Sequence, residues 1–274
     1  MILANYGIVS SSGGVSFDAD AQAFITAAAI TDNTQKTAVN TLVTDLKTYN
    51  IWAKMKALYP FVGGTASSHK WNLKDPRDLD AAYRLVFNGG WTHSSTGALP
   101  NGTTAYADTK LKPFGIFNNT TYAHMSYYSR SSAGNQSFEY GMGANDGVNN
   151  LSFVLRRANN TQAFFADFSN ASYRLALNST STNGSGLFVG TQQGANIKLF
   201  KQNVLQVSNT GAGTGGVPPN YNIYIGAQNS LNVGDGYTDK ESAFASIGDS
   251  LTDGEASLFY TAVQTYQTTL SRQI

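Results

Sequence analysis

Two short stretches of the chain contain residues that could perform nucleophilic chemistry. Ser250 lies within Gly248-Asp249-Ser250-Leu251, and a second block reads Gly143-Ala144-Asn145-Asp146. A serine hydroxyl attacks an ester efficiently only when a neighbouring base accepts its proton. The first question is therefore whether the rest of the chain supplies that base.

The two blocks resemble those of the GDSL (SGNH) hydrolases, but their order and their partners do not fit. In that family the serine block begins an α/β domain and the Gly-x-Asn-Asp block follows it. Here only 24 residues follow Ser250, and the second block precedes it. The family's base is a histidine in an Asp-x-x-His block, and none of His69, His93 and His124 has an aspartate at that spacing. The sequence therefore predicts that this chain is not an esterase.

The residues after Leu251 have a structural explanation instead. Thr252-Asp253-Gly254-Glu255 matches the Ser/Thr-x-x-Glu capping box that opens many helices. An apolar stripe with helical spacing follows it, formed by Ala256, Phe259, Tyr260, Val263, Tyr266 and Leu270. The capping box and the stripe therefore predict a C-terminal amphipathic helix that starts directly after the serine block.

The acidic residues do not predict a glycosidase, which needs two carboxylates at a fixed separation. The chain has three glutamates, Glu139, Glu241 and Glu255, and no strand with two alternate inward acids. Three aspartates cluster in LKDPRDLDAA, at Asp75, Asp78 and Asp80. We interpret this cluster as a helix cap or a surface turn, with a site as the alternative. The histidines lack metal-ligand spacing, so we assign them no metal. We also assign no catalytic residue, because neither Ser250 nor the acids have the partners that catalysis needs.

Aromatic residues beside polar ones are the best candidates for binding a ligand. Sugars are held by aromatic faces and by polar side chains that pair with their hydroxyls. Trp91 and His93 in NGGWTHSS share one side of an extended chain, and Tyr128 lies in HMSYYSR. We assign Trp91, His93 and Tyr128 as a candidate glycan or partner contact. The alternative is that Trp91 and one of the neighbouring tyrosines fill the core.

Composition excludes several other classes of function. The net charge is +1 and only 13% of the residues are charged, so no strong field attracts nucleic acid or an anionic membrane. The chain has no cysteine, which excludes disulfides and cysteine-based zinc sites. The chain contains no run of 18 apolar residues, so no membrane span is predicted. The N-terminus lacks the basic and apolar regions of a Sec signal peptide.

The elements that position these residues are mainly strands. Residues 18–58 have helical spacing, with a second helix opening at Asp32 and a short third one over Ile51–Ala57. After Pro60, short apolar runs alternate with Gly, Asn, Ser and Thr clusters, which predicts an antiparallel sandwich or barrel. The predicted strands are Arg84–Phe87, Ala123–Ser129, Ser137–Gly141, Leu151–Arg156, Gln162–Phe168, Ser172–Leu177, Gly186–Gly190, Ile197–Phe200, Val204–Ser208, Tyr221–Gly226 and Glu241–Ile247.

From Gly184 onward the order of segments resembles the C-terminal half of concanavalin A-like (laminin-G-like) jelly rolls. These segments are GSGLFVGTQQGANIKLFKQNVLQVSN, NYNIYIGAQNS and the stretch through the capping box to FYTAVQTYQTTL. Over nearly its whole length, and most specifically in KWNLKDPRDLDAAYRLVFNGGWTHS, the chain is similar to phage and prophage virion proteins. The resemblance implies a tail, fibre or capsid-surface protein with a jelly-roll fold.

We therefore predict a mainly β protein: an antiparallel concanavalin A-like jelly-roll sandwich with an N-terminal helical region and a C-terminal amphipathic helix. Residues 1–58 form the helical region and residues 59–274 the jelly roll. The expected function is a non-catalytic virion structural protein at the particle surface that contributes to host-surface glycan attachment. The alternatives are a glycan depolymerase or esterase, and a bacterial carbohydrate-binding module.

The partners and location follow from the same resemblance. It implies a homo-oligomer, with a trimer favoured, that contacts other virion proteins and host surface glycans, and that binds no nucleic acid. Such a protein is made in the host bacterial cytoplasm and carried on the virion surface. No cofactor is expected. Laminin-G-like domains bind calcium, and a loop such as Asn145-Asp146-Gly147 would do so only weakly because it carries a single acid.

Overall fold

The computed structural model describes residues 16–117, 122–132, 138–157, 165–169, 174–176, 183–211 and 217–274. The first 15 residues of the predicted helical region lie outside these ranges. So do the predicted strand residues 137, 162–164, 172–173 and 177.

Four α-helices are described, and their caps follow from the sequence. They are α1 (Ala19–Ala27), α2 (Asn33–Thr48), α3 (Ala66–His69) and α4 (Asp253–Thr269), with 3₁₀ turns at Trp52–Lys54 and Asp80–Ala82. Asp32 caps α2, because its carboxylate accepts a hydrogen bond of 2.8 Å from the Gln35 amide. The predicted α2 stripe is buried at Ala38, Val39, Leu42, Val43 and Leu46.

The strands form two sheets. They are β1 (Met55–Tyr59), β2 (Val86–Asn88), β3 (Trp91–Ser94), β4 (Gly97–Pro100), β5 (Tyr106–Asp108), β6 (Tyr122–Ser129), β7 (Phe138–Asn145), β8 (Asn150–Arg157), β9 (Phe165–Ser169), β10 (Arg174–Ala176), β11 (Gly186–Gln193), β12 (Asn196–Lys201), β13 (Val204–Asn209), β14 (Tyr224–Ile225), β15 (Gln228–Ser230), β16 (Val233–Asp235) and β17 (Ser242–Asp249).

The strand order places β2 and β3 at the edges of different sheets. The first sheet has the order β13-β12-β11-β6-β17-β4-β3, and β1 also pairs with β17. The second sheet has the order β10-β9-β8-β7-β14-β5-β2, and the β15–β16 hairpin joins it at β7. All these pairs are antiparallel except β15 with β7.

Two buried clusters lie on the two faces of the first sheet. In β6, Ala123, Met125 and Tyr127 point into the cluster between the sheets, whereas Tyr128 belongs to the cluster beneath the helices. This alternation is the period of two expected for a strand that is covered on both faces. Ile223 and Ile225 lie together between the sheets, as their spacing predicts. The chain is thus a mainly β sandwich whose first sheet is covered by α1, α2 and α4.

The predicted helix over Ile51–Ala57 is wrong. Trp52–Lys54 is a 3₁₀ turn, and Met55–Tyr59 forms β1, which pairs antiparallel with β17. Ala57 and Tyr59 enter the inter-sheet cluster while Leu58 faces the helices, so a short run that is apolar on both faces is a buried strand. The predicted boundary at residue 58 falls inside this strand.

The start of α4 matches the predicted capping box. The Thr252 hydroxyl accepts from the Glu255 amide, and the Glu255 carboxylate accepts from the Thr252 amide. Ala256, Phe259, Val263 and Tyr266 of the predicted stripe are buried. Every helix in the described ranges is too short or too polar to cross a membrane.

Replacing Thr252 by alanine should lower the free energy of unfolding by about 0.5–2 kcal/mol, because the cap of α4 loses its acceptor. Urea denaturation measures this change. Thr252→Ser keeps the hydroxyl and is the matched control, which should stay close to the wild type. A Thr252→Ala variant with the wild-type midpoint would contradict this role of the cap.

Candidate functional site

The candidate site lies at the edge of the sandwich where the chain passes from one sheet to the other. Gly89 and Gly90 join β2 to β3. Gly89 has a φ of +72°, and a Cβ atom there would lie 2.3 Å from the Thr104 carbonyl oxygen, so a side chain does not fit. This turn brings the rings of Phe87 and Trp91 into edge-to-face contact, with centroids 5.3 Å apart.

Trp91 is held in place by its neighbours while its ring stays partly exposed. The indole Nε1–H donates a hydrogen bond of 3.0 Å to the Asn88 carbonyl. The far end of the ring lies against Gly226, where a Cβ atom would be 3.0 Å from the indole. Trp91 also packs against the inter-sheet cluster. Trp91 is therefore a fixed aromatic surface at the edge of the inter-sheet cluster.

His93 is linked to His69, which comes 24 residues earlier in the sequence. The two Nδ1 atoms are 3.0 Å apart, and His69 Nε2 accepts a hydrogen bond of 3.2 Å from the Gly64 amide. His69 must therefore carry its proton on Nδ1 and donate it to His93 Nδ1. It follows that His93 carries its own proton on Nε2.

We call Phe87, Trp91, His93 and His69 the edge cluster. The His93 ring stacks on Trp91 with centroids 6.2 Å apart and an interplanar angle of 24°, and Phe87 meets it edge-on at 4.6 Å. Among the described residues, no protein group pairs with His93 Nε2, and the ring is partly exposed. The cluster thus offers an aromatic surface next to a free N–H donor.

Both imidazoles of the edge cluster are neutral near neutral pH. Burial, together with the nearby His93 and Arg272, lowers the pKa of His69 to about 3. Burial also lowers the pKa of His93. The site can therefore donate a hydrogen bond without carrying a charge, which suits a neutral polar ligand.

Tyr128 lies elsewhere. It is fully buried beneath the helices, and its hydroxyl accepts a hydrogen bond of 3.0 Å from the Ile274 amide. The structure therefore brings Trp91 and His93 together but separates Tyr128 from them. It adds Phe87 and His69, which the sequence analysis did not select. Phe87 lies immediately before the NGGW turn, and this position could have indicated that it contacts Trp91. No local signal in the sequence joins His69 to His93.

Comparisons with known proteins identify the fold. No family model and no curated protein matches the sequence. Domain 4 of AbnA, a GH43 extracellular arabinanase from Geobacillus stearothermophilus solved in complex with arabinotriose, is 13% identical with a TM-score of 0.50. The match covers 75% of this chain and 98% of that domain.

Two further binding domains match with lower TM-scores. The binding domain of botulinum neurotoxin serotype D/C VPI 5993 is 10% identical with a TM-score of 0.48, and the match covers 78% of this chain. The binding domain of Paraclostridial Mosquitocidal Protein 1 is 10% identical with a TM-score of 0.47 and 76% coverage. The matches cover about half of each of these two chains, 53% and 52%. At these identities the likeness to the arabinanase domain establishes a shared β-sandwich fold.

The serine block does not assemble a nucleophile and a base. Ser250 lies in the connection from β17 to α4 and is buried. The nearby His124 has both ring nitrogens engaged, because Nδ1 donates to the Asp249 carbonyl and Nε2 accepts from the Ser246 hydroxyl. Asn145 ends β7 in the other sheet. The described residues therefore offer Ser250 no free base.

The acidic residues of the LKDPRDLDAA stretch form surface ion pairs. Asp75 pairs with Arg77, and Asp78 pairs with Lys70. Asp80 begins a 3₁₀ turn, which agrees with the interpretation of this stretch as a helix cap or a surface turn. In the described ranges no three His, Cys, Asp or Glu residues group as metal ligands.

The loop considered for calcium uses its acid internally. Asp146 accepts hydrogen bonds from the amides of Val148 and Asn149, so its carboxylate closes its own turn. These bonds help to lower the pKa of Asp146 despite partial burial.

Proposed function

We propose that this chain is a non-catalytic glycan-binding β-sandwich carried on the surface of a phage virion. The observation that carries the glycan-binding part is the edge cluster, where the Trp91 ring and the free Nε2–H of His93 lie together at the surface. The C–H faces of a pyranose pack against aromatic rings, and its hydroxyls need hydrogen-bonding partners. One neutral N–H donor beside an aromatic surface provides both.

The electrostatics of the site favour a neutral saccharide over a charged ligand. Both histidines of the edge cluster are neutral, and the whole chain has a net charge of +1. A phosphate or carboxylate ligand would call for an arginine or lysine at the site. The arabinanase domain of the same fold, which was solved with arabinotriose, supports a saccharide.

The virion part of the proposal rests on the resemblance of KWNLKDPRDLDAAYRLVFNGGWTHS to phage virion proteins. That stretch begins directly after His69 and contains Phe87, Trp91 and His93 of the edge cluster. The most specific part of the resemblance therefore coincides with the candidate site. A cysteine-free surface with few charges suits a protein that folds in a bacterial cytoplasm and is exposed after lysis. The proposal includes a homotrimer and contacts with other virion proteins.

The absence of catalysis is part of the proposal. It is supported by the engaged ring nitrogens of His124 near Ser250 and by the ion pairs of the aspartate cluster. A glycan depolymerase needs two carboxylates facing one sugar. The edge cluster contains none.

Replacing His93 by alanine should weaken glycan binding on the order of tenfold or more, because the N–H donor and the ring stacked on Trp91 are both lost. The wild type is first screened on a glycan array and on host cells, and the affinity for the best glycan is then measured for each variant. Trp91→Phe should weaken binding less, because it keeps an aromatic ring at this position while it loses the end of the indole that lies against Gly226.

The matched control is Tyr122→Ala, which removes an aromatic ring that is 54% exposed at the start of β6 and outside the edge cluster. It should bind like the wild type. Thermal unfolding of each variant shows whether the sandwich is intact. A wild type that binds no glycan, or a folded His93→Ala that binds as well as the wild type, would contradict the proposed site.

A further inference from the structure

The Nε2 atom of His93 is set as a hydrogen-bond donor by the residues behind it. The Gly64 amide donates to His69 Nε2 at 3.2 Å, so the His69 proton lies on Nδ1, which is 3.0 Å from His93 Nδ1. His69 is 1% exposed, so protein groups and not solvent determine this arrangement. Because His93 Nδ1 must accept, Nε2 carries the proton. The site offers a donor at this atom and cannot offer an acceptor there.

A donor of this kind discriminates between the polar groups of a sugar. A hydroxyl that accepts from Nε2 still has a hydrogen of its own to place, whereas an amide carbonyl only accepts. The four residues of the edge cluster all lie in the described ranges, and their side chains have no acceptor left for that hydrogen. His93 Nδ1 and His69 Nε2 already accept, and the Trp91 indole can only donate. An amide carbonyl is therefore the better match.

The rings on either side of His93 add an apolar requirement. Phe87 meets the His93 ring edge-on with centroids 4.6 Å apart, and Trp91 stacks on it at 6.2 Å. All three rings are partly exposed. An acceptor that reaches Nε2 therefore lies beside carbon surface, and an apolar group attached to that acceptor would leave water there. A methyl group next to a carbonyl meets both requirements, and a hydroxyl meets only one.

The charges around the site favour a neutral acceptor over a carboxylate. A carboxylate also only accepts, but it pairs best with arginine or lysine. Arg272, whose charge acts on His69, is 1% exposed and donates to backbone carbonyls such as that of Phe61. Lys70, which follows His69 in the chain, pairs with Asp78 at 2.7 Å. Both cations are engaged within the fold.

We propose that the edge cluster recognises the acetamido group of an uncharged N-acetylated sugar. The acetamido carbonyl accepts from His93 Nε2–H, and the methyl group packs against the rings of Phe87 and Trp91. His69 is a positioning residue, because it determines which nitrogen of His93 carries the proton. This inference rests on the proposed glycan-binding function and names the class of sugar that the same site takes.

The test compares two trisaccharides by calorimetric titration of the full chain. Chitotriose and cellotriose have the same β-linked backbone and differ in one substituent of each ring, acetamido in the first and hydroxyl in the second. The wild type should bind chitotriose on the order of tenfold more tightly than cellotriose. His93→Leu removes the donor and should reduce this preference to about twofold or less. His93→Gln keeps an N–H donor and should retain more of the preference than His93→Leu.

Nitrogen NMR of the histidine rings gives a second measurement that needs no variant. It should place the His93 proton on Nε2 and the His69 proton on Nδ1. A His93 proton on Nδ1 would overturn the inference, and so would a folded His93→Leu with the full wild-type preference.

The two proposals fail in different ways. A wild type that binds cellotriose as tightly as chitotriose overturns the acetamido inference and leaves glycan binding in place. The same holds if neither trisaccharide binds while another glycan binds in a manner that His93→Ala abolishes. A wild type that binds no glycan at all overturns both.

Discussion

Replacing Arg272 by leucine should lower the free energy of unfolding by about 3–5 kcal/mol, the largest effect that we expect from one side chain. Arg272 is 1% exposed. Its guanidinium donates hydrogen bonds of 2.8 and 2.7 Å to the carbonyls of Phe61 and Pro60, and one of 2.9 Å to the carbonyl of Ala243. Leucine would take this donor from the Phe61 carbonyl and from Gln267 Oε1, at about 1–3 kcal/mol each when no water replaces it. The Pro60 and Ala243 carbonyls would keep their bonds from the Tyr266 hydroxyl and from Gln267 Nε2.

The position of Arg272 explains why this loss would affect the whole fold. Pro60 and Phe61 leave the first sheet after β1, Ala243 lies in β17, and Gln267 of α4 accepts a further bond of 2.6 Å from Arg272. One guanidinium therefore ties the C-terminal helix to two adjacent strands. Burial lowers the pKa of Arg272, but a guanidinium remains charged at any working pH. Its carbonyl partners supply the compensation that a buried cation needs.

Urea denaturation of the wild type, Arg272→Leu and Arg272→Lys measures this contribution. The lysine variant keeps the charge but loses the planar fork, so its midpoint should lie between the other two. Arg77→Leu is the control, because Arg77 is exposed and forms a surface ion pair with Asp75, and its midpoint should not change. An Arg272→Leu variant as stable as the wild type would show that α4 is held by its apolar stripe alone.

The sequence predicted those parts of the fold whose signals are local. Neighbouring residues determine the α4 capping box and the α2 stripe. The long strands β6, β11, β12 and β17 lie in short apolar runs between turn residues, and β6, β11 and β17 are buried along almost their whole length. By contrast, β3, β4 and β5 were not predicted. They are three or four residues long and include Gly97 and Pro100, so their strand conformation depends on pairing with distant partners.

The candidate site was only partly predictable for the same reason. Trp91 and His93 share one side of a strand, which their spacing of two already indicates. His69 joins them through a turn that no sequence pattern links to β3. Tyr127 and Tyr128 are equivalent in the sequence, and only the packing of the helices on the first sheet shows that both are buried, one on each face. Local periodicity does not show which face of a sheet another element covers.

The fold should lose about 4 kcal/mol of stability between pH 7.5 and pH 5, because two buried histidines must stay neutral in the folded state. Burial lowers the pKa of His124 to about 4 and that of His69 to about 3. In the unfolded chain a histidine has a pKa of about 6.5. Below that value the unfolded state binds protons that the folded state does not, so stability falls as the pH falls. At pH 5 each histidine accounts for about 2 kcal/mol, at 1.36 kcal/mol per pH unit.

The pH range distinguishes the loss of stability caused by the histidines from the loss caused by the carboxylates. Hydrogen bonds or ion pairs lower the pKa of Asp18 and Asp75, and the stability they contribute is lost only as the pH falls below their usual values near 4. The loss between pH 6.5 and pH 5 therefore reports mainly on the histidines.

Urea denaturation of the wild type and His124→Asn at pH 7.5, 6 and 5 tests this expectation. Asparagine keeps an N–H donor for the Asp249 carbonyl but has no group that titrates in this range, so the difference in stability between pH 7.5 and pH 5 should fall by about half. That difference is informative even if His124→Asn is less stable than the wild type at pH 7.5. A wild type whose stability is the same at pH 7.5 and pH 5 would mean that water reaches both imidazoles. The neutral His69–His93 pair that the glycan proposal requires would then be wrong as well.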